Sequence, residues 1–365
     1  MKQRILNIVG ARPNFMKIAP LMAEYRKDPD HFDPVLVHTG QHYDANMSQL
    51  FFEQLGLPQP DVYLGVGSGS HAEQTAKVMV ELEKLMMRDR PDLVVVVGDV
   101  NSTLAGALVA AKLGVPLAHV EAGLRSGDRT MPEEINRLVT DVLSDYLFIT
   151  SEDARENLRR EGIADEKIHF VGNVMIDTLL RLRDASQQSD IRQRLGVTGD
   201  YGFVTLHRPA NVDVRETLAE IFSALDVVQK ELVLVFPAHP RTQARLKEFG
   251  YWDEIRRWPN LKLIEPVGYL DSLCLMANAK VVLTDSGGVQ EETTVLGTPC
   301  LTIRANTERP VTVTEGTNTM VGAHHGRIVE EARRAIRGHG KRGRVPKFWD
   351  GRAAERIVAC LRRRK

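Results

Sequence analysis

Cysteine is scarce in this chain, with 3 among 365 residues. Cys274, Cys300 and Cys360 are odd in number and show no C-x-x-C spacing, which excludes a disulfide framework and a cysteine-built zinc knuckle. A reducing, cytoplasmic setting is the expectation. Charge of one sign is missing too: Lys+Arg and Asp+Glu each total 48, so no global basic field exists to drive non-specific nucleic-acid binding. A long apolar run is also absent. The longest aliphatic stretch, Leu93-Val94-Val95-Val96-Val97, is far short of the about 20 residues that cross a bilayer. The N-terminus starts basic but has no sustained apolar region and no small-residue cleavage site. No nucleic-acid partner, no membrane insertion and no export are therefore expected.

What is present is enough to bury a large core: 43% of the residues are hydrophobic and 26% charged. At roughly 150 residues per domain, two domains are expected. Charge is uneven along the chain, because residues 333–365 hold 13 Lys or Arg against Asp350 and Glu355. A solvated helix face with a basic tail accounts for this segment, whose only aromatics are Phe348 and Trp349.

Short apolar runs at 5–9, 35–38, 93–97, 116–120, 146–150 and 169–171 alternate with amphipathic stretches at 20–27, 72–88, 104–113 and 132–145. The pattern restarts with strands at 203–206, 232–236, 261–264, 281–284 and 300–303, and helices near 215–230, 243–256, 270–277 and 289–296. Strand, helix and strand at this spacing mean parallel sheets with crossover helices. The fold class is α/β: two doubly wound Rossmann-like domains, with ligands expected in an interdomain cleft at the carboxyl ends of the strands. The hinge is placed near 172–200, which divides the chain into an N-terminal domain, 1–172, and a C-terminal domain, 173–346.

Candidate chemistry gathers at predicted strand ends. Gly10-Ala11-Arg12-Pro13-Asn14 closes the first strand, and Lys17 lies one turn into the next helix; such a turn presents N–H groups to an anion, and Arg12 and Lys17 add charge. Asp99 follows the Val-rich strand and Glu121 the one after it. The alternative for Asp99 is a helix N-cap, a role equally open to Asn101 or Ser102. Glu121, closing an apolar strand, needs a partner, for which Arg125, Arg129 and Arg137 are candidates. Glu133 and Glu134 open a helix, where dipole compensation is the plain alternative. Acids collected at one edge can remove or deliver a proton.

In the second half, His207-Arg208 and His239-Pro240-Arg241 end successive strands, and two such His–Arg sites point to anion chemistry. Asp285-Ser286-Gly287-Gly288-Val289-Gln290-Glu291-Glu292 carries a strand straight into a helix. Its backbone N–H groups and Ser286 hydroxyl can cradle a diphosphate, while Glu292, about one turn inside, can accept from ribose hydroxyls.

Taken in order, G-x-R-P-N at Gly10, G-D-x-N-S-T at Gly98, H-V-E-A-G-L-R at His119, P-E-E-I-N-R at Pro132, T-L-H-R at Thr205, T-D-S-G-G-V-Q-E-E at Thr284 and T-E-R-P at Thr307 resemble the non-hydrolysing UDP-N-acetylglucosamine 2-epimerases. The resemblance implies the glycosyltransferase-B-like fold, a C-terminal helix from Trp349 to Arg362, within 347–365, packing back on the first domain, and a homodimer. It implies reversible conversion of UDP-N-acetylglucosamine to UDP-N-acetylmannosamine through a 2-acetamidoglucal, with a place in polysaccharide biosynthesis. Carried over residue by residue, Asp99, Glu121, Glu133 and His207 are catalytic. Arg12, Lys17, Ser286, Gly287, Gly288, Glu292 and Arg309 hold UDP, and Arg137 and His239 join them as substrate contacts. No cofactor and no metal are implied.

The chain departs from the family pattern in three places. Pro209-Ala210-Asn211 replaces the usual x-Glu-Asn after His207-Arg208, which removes a carboxylate near His207. Ala305 stands where an acid is common, and Gln41-His42-Tyr43-Asp44-Ala45-Asn46-Met47 departs from the run carried by substrate-activated members, so activation of that kind is not implied. A retaining glycosyltransferase, a hydrolysing epimerase, an epimerase of a UDP-diacetamido-uronic acid and a non-catalytic nucleotide-sugar binder are the rival readings. The acid-rich first edge counts against the glycosyltransferase and the binder.

Overall fold

The structure, a computed structural model, describes residues 2–40, 52 and 54–363, with the side chain of Arg12 also outside the description. The chain forms two compact units, Met1–Arg181 with Lys347–Lys365, and Leu182–Pro346.

The first unit is built on a parallel sheet of strands β1 (Gln3–Val9), β2 (Phe32–His38), β3 (Val62–Tyr63), β4 (Leu93–Val97), β5 (Leu117–Ala122), β6 (Tyr146–Ile149) and β7 (Ile168–Phe170). Their order is β3-β2-β1-β4-β5-β6-β7. β4 reads Leu-Val-Val-Val-Val because helices cover both faces of a parallel sheet, and all five residues are at 0% exposure. Each such side chain contributes about 1.5–3 kcal/mol by leaving water.

The second unit repeats the plan with β8 (Tyr201–Thr205), β9 (Val233–Pro237), β10 (Leu261–Ile264), β11 (Val281–Thr284), β12 (Cys300–Thr302) and β13 (Asn318–Met320), in the order β10-β9-β8-β11-β12-β13. Its core packs Val204, Leu234, Phe236, Leu283 and Leu301 against Leu218, Ile221, Phe222 and Leu225 of the helix Arg215–Gln229. Each sheet is doubly wound. The strand order reverses between β1 and β4 in one unit and between β8 and β11 in the other, the switch points where ligands bind such sheets.

Several boundaries differ from the sequence reading. The first helix begins at Arg12 and runs through Pro20 to Tyr25. Pro20 has no N–H for the carbonyl of Met16, and that oxygen instead accepts from Thr178 Oγ1 at 2.6 Å. The helix expected at 243–256 is two, Pro240–Glu248 and Trp252–Ile255, separated by Gly250 at φ 81°. β3 and β13 escaped the reading because two and three residues make no apolar run.

The chain leaves the first unit after Arg181, within the helix Val174–Ser186, later than residue 172. Thr178, Asp177 and Arg181 tie the start of that helix to Met16, to Ala353 and Ala354, and to Leu55. The final helix is Ala353–Arg362, starting after Trp349, whose indole N–H donates to the Thr150 carbonyl at 2.9 Å. Both Ala353 and Ala354 N–H groups donate to the Asp177 carboxylate, at 3.1 and 2.7 Å. Burial pushes that carboxyl up to about 6, against the pull of these two bonds. Among the described residues no helix is long and apolar enough to cross a membrane.

Candidate active site

In the first unit the switch point is closed by Asn14, whose Oδ1 accepts from Gly10 N at 3.0 Å and Ala11 N at 3.1 Å. Its Nδ2 donates to the Val97 carbonyl at 3.0 Å, so one side chain ties the end of β1 to the end of β4. Gly10 admits no side chain there, since a Cβ would lie 2.1 Å from Ser102 Oγ.

Lys17 and Glu121 meet in an ion pair with 6% and 4% of their surface exposed. Of the arginines expected as its partners, Arg125 binds Asp141 and Glu161, and Arg137 binds Asp99 and Glu134. Lys17 wins because it extends from the helix that starts at the end of β1, beside Gly98. Glu121 adopts φ 76° at a register shift between Val120 and Ala122. A left-handed, non-glycine residue costs about 1–3 kcal/mol and persists only where its surroundings enforce it, a mark of functional sites.

Asp99 accepts from Arg137 Nη1 at 2.5 Å and, through its carbonyl, from Asn136 Nδ2 at 2.8 Å. It is not the N-cap of the helix Asn101–Lys112, a position held by Val100. Glu134 is buried and binds Arg137 together with the N–H groups of Ser126 and Gly127, at 3.0 and 2.9 Å. Burial opposes its ionisation, but those N–H groups and Arg137 hold its carboxyl below the usual range. Its neighbour Glu133 is half-buried and makes no hydrogen bond or ion pair among the described residues. The two adjacent acids are thus differently employed. Arg12 begins its helix, but its side chain lies outside the description, and so do residues 41–47.

In the second unit the switch point is organised by Asp285, at 0% exposure. Its carboxylate accepts from the backbone N–H groups of His207, at 3.0 Å, and Arg208, at 2.9 Å, and from Asn211 Nδ2 at 3.1 Å. Nδ1 of His207 lies 3.1 Å from Asp285 Oδ1. Burial opposes ionisation, yet the bond and charge of His207 and the backbone donors hold Asp285 below the usual carboxylate range. Asp285, itself part of the family pattern, is thus the carboxylate that faces His207 where Ala210 supplies none. His239 stands with its ring 5.7 Å from that of His207, and its Nδ1 accepts from Arg241 N at 3.2 Å, capping the helix Pro240–Glu248.

The helix Gly287–Leu296 begins two residues earlier than expected, which puts Gly287 and Gly288 in its first turn behind the N-cap Ser286. The Ser286 hydroxyl makes no capping bond. Gly287 lies against Arg309: a Cβ would sit 2.6 Å from Arg309 Nη1, so a side chain here would have to shift the guanidinium. Arg309 is shared between Glu308, at 2.6 Å, and Glu291, at 2.9 Å. Glu308 also takes Arg304 at 2.7 Å and Arg208 at 3.3 Å, and against the cost of burial these arginines drive its carboxyl well below the usual range. Glu292, buried at 3% exposure, accepts from the Tyr269 hydroxyl at 2.7 Å, whose own ionisation burial and Glu292 push well above its ordinary value.

Lys17, Asp99, Glu121, Glu133 and Arg137 thus belong to one unit, and His207, His239, Ser286, Gly287, Gly288, Glu292 and Arg309 to the other. Asn14, Glu134, Asp285 and Glu308 were not singled out from sequence as site residues. For Glu308 the available signal was its place directly beside Arg309, and for Asp285 its place at a strand end.

Two Rossmann-like units of this kind, with basic and acidic side chains at their switch points, define the glycosyltransferase-B type of fold. The family model for UDP-N-acetylglucosamine 2-epimerase matches residues 23–362, and the chain belongs to that family. The chain is 46% identical over 362 residues to the UDP-N-acetylglucosamine 2-epimerase of Methanocaldococcus jannaschii, covering 97% of each. A crystal structure of the Methanocaldococcus jannaschii enzyme in complex with UDP-GlcNAc and UDP superposes with a TM-score of 0.92 at 45% identity, covering 98% of this chain and 99% of that one. The UDP-2,3-diacetamido-2,3-dideoxy-D-glucuronate 2-epimerase of Pseudomonas aeruginosa is 42% identical over 363 residues, with 98% and 99% covered.

Proposed function

We propose that this chain interconverts UDP-N-acetylglucosamine and UDP-N-acetylmannosamine without hydrolysis. The observation that carries the proposal is the pair of carboxylates at the ends of adjacent strands, Asp99 after β4 and Glu121 at the end of β5, each held against a cation. The C2 proton leaves to a carboxylate while the C1–O bond to UDP breaks, its electron pair departing with the diphosphate and a C1=C2 double bond forming. UDP then adds back to C1 as C2 is protonated on the opposite face. Asp99, Glu121 and Glu133 serve the proton transfers, and His207, steadied by Asp285, is the fourth acid/base group of this reading. Lys17, Arg12, Arg137, Arg309, His239, Ser286 and the first-turn N–H groups of Gly287 and Gly288 offset the charge of UDP, and Glu292 takes the ribose.

Incubation with UDP-N-acetylglucosamine in deuterated water tests this. UDP-N-acetylmannosamine carrying deuterium at C2 is expected, and free N-acetylmannosamine with UDP as the sole early products would overturn the non-hydrolysing assignment. The Pseudomonas aeruginosa relative favours one second reading, a UDP-diacetamido-uronate as substrate. Competition between the two UDP-sugars decides it: the substrate with the larger kcat/KM is the one the site is built for.

A further inference from the structure

One buried ionisable pair is left unused by that chemistry. His119 is at 0% exposure on β5, two residues before Glu121. Its Nδ1 lies 2.6 Å from Asp141 Oδ1 and its Nε2 2.8 Å from the Gly98 carbonyl oxygen. Both neighbours are acceptors, because Asp141 is held ionised against burial by the charges and bonds of His119 and Arg125. Each ring nitrogen thus faces an acceptor, and a ring so engaged in the interior turns neither nitrogen toward a ligand.

The ends of these bonds are informative. Gly98, at φ 68°, immediately precedes Asp99. The second oxygen of Asp141 accepts from the N–H of Gly123 at 3.0 Å, two residues beyond Glu121, and meets Arg125 at 2.7 Å. The pair is thus bonded to the chain on both sides of the left-handed Glu121 and to the residue before Asp99. Asp141 also lies on the helix Pro132–Leu143, which carries Arg137, the partner of Asp99.

We propose that His119 and Asp141 are positioning residues that hold Glu121 in its left-handed conformation and Asp99 in line with it, so that both carboxylates meet the C2 proton in working geometry. This rests on the reading of Asp99 and Glu121 as the acid/base groups. Displacement of a reacting group by about 1 Å can cost a factor of about 100 in rate without touching the substrate's distal contacts. The signature of positioning is therefore a loss in kcat with KM retained.

The test uses the full chain with His119→Gln, His119→Leu and Asp141→Asn, reading kcat, KM, C2 deuterium incorporation, UDP affinity and Tm. Leu82→Ala, at a buried position on the helix His71–Arg88 outside the network, calibrates the effect of lost stability alone. His119→Gln and Asp141→Asn are expected to lower kcat and deuterium incorporation by about tenfold or more, with KM and UDP affinity within about threefold. Leu82→Ala is expected to lose Tm and keep kcat. His119→Gln, which retains one donor, should keep more activity than His119→Leu. Folded His119→Gln and Asp141→Asn with wild-type kcat, while Glu121→Gln is inactive, would overturn the positioning role alone. Retained turnover in Glu121→Gln and Asp99→Asn would instead overturn the acid/base reading beneath it.

Discussion

The two switch points are built from the same topology but treat charge in opposite ways. At the first, three carboxylates share two cations: Glu121 pairs with Lys17, and Asp99 and Glu134 with Arg137. At the second, three arginines converge on Glu308, one of them also held by Glu291, beside a helix N-terminus. An excess of carboxylate over cation leaves acids that a substrate can engage by displacing one partner. A surplus of guanidinium beside free backbone N–H groups suits a polyanion. On the proposed reading the first unit supplies most of the acid/base carboxylates and the second the larger cluster of guanidinium groups.

Glu308→Gln should break the second unit hardest, because it leaves three arginines around a neutral amide. Loss of one member of a buried ionic group costs about 3–5 kcal/mol, and urea denaturation followed by circular dichroism would read it. A loss below about 1 kcal/mol would mean that the arginines are screened individually, as surface pairs are. Acid should act in the same direction: the Glu308 carboxyl is held low in the folded state, so its contribution is present above the unfolded carboxylate range and is lost as pH falls through the folded value.

Glu121→Gln and Asp99→Asn should each lower turnover by about 100-fold or more, the scale of losing a general acid or base. Retention of activity in both would make the first rim structural and erase the contrast between the units.

Asp177 supplies a smaller effect of opposite sign. Its folded value near 6 lies above the ordinary aspartate value, so the native state binds more protons and this group adds stability as pH falls from 7 toward 4. The wild type should gain about 1 kcal/mol between pH 7 and pH 5 relative to Asp177→Asn, measured by denaturation at both values.

The smallest expected stability change sharpens the first rim internally. Glu133→Gln should leave stability within about 0.5 kcal/mol, as half-exposed substitutions outside a network do, while lowering turnover as a catalytic acid would. Glu134→Gln should destabilise instead, since it breaks the link from Arg137 to Ser126 and Gly127.

Much of this was legible before folding. Runs such as Leu93 to Val97, closed by Gly98-Asp99, announce buried parallel strands, because only a strand covered on both faces can be apolar without alternation. Asp99, Glu121, His207 and Ser286 fall at strand ends for the same reason, and the ordered motifs placed the chain in its family. The short strands β3 and β13 and the helix through Pro20 were not legible, because tertiary contacts rather than local preference maintain them.

The partnerships were decided elsewhere. Lys17 reaches Glu121 across 104 residues of sequence, His207 reaches Asp285 across 78, and His119 reaches Asp141 across 22. Periodicity and strand-end chemistry act over a few residues, so they dictate the two sheets and the residue types along each rim. The choice among Lys17, Arg125, Arg129 and Arg137 as the partner of Glu121 depends on separations of a few ångströms inside a folded unit. Hydrogen-bond geometry and desolvation discriminate only at that range, and nothing in the linear order of the chain encodes it.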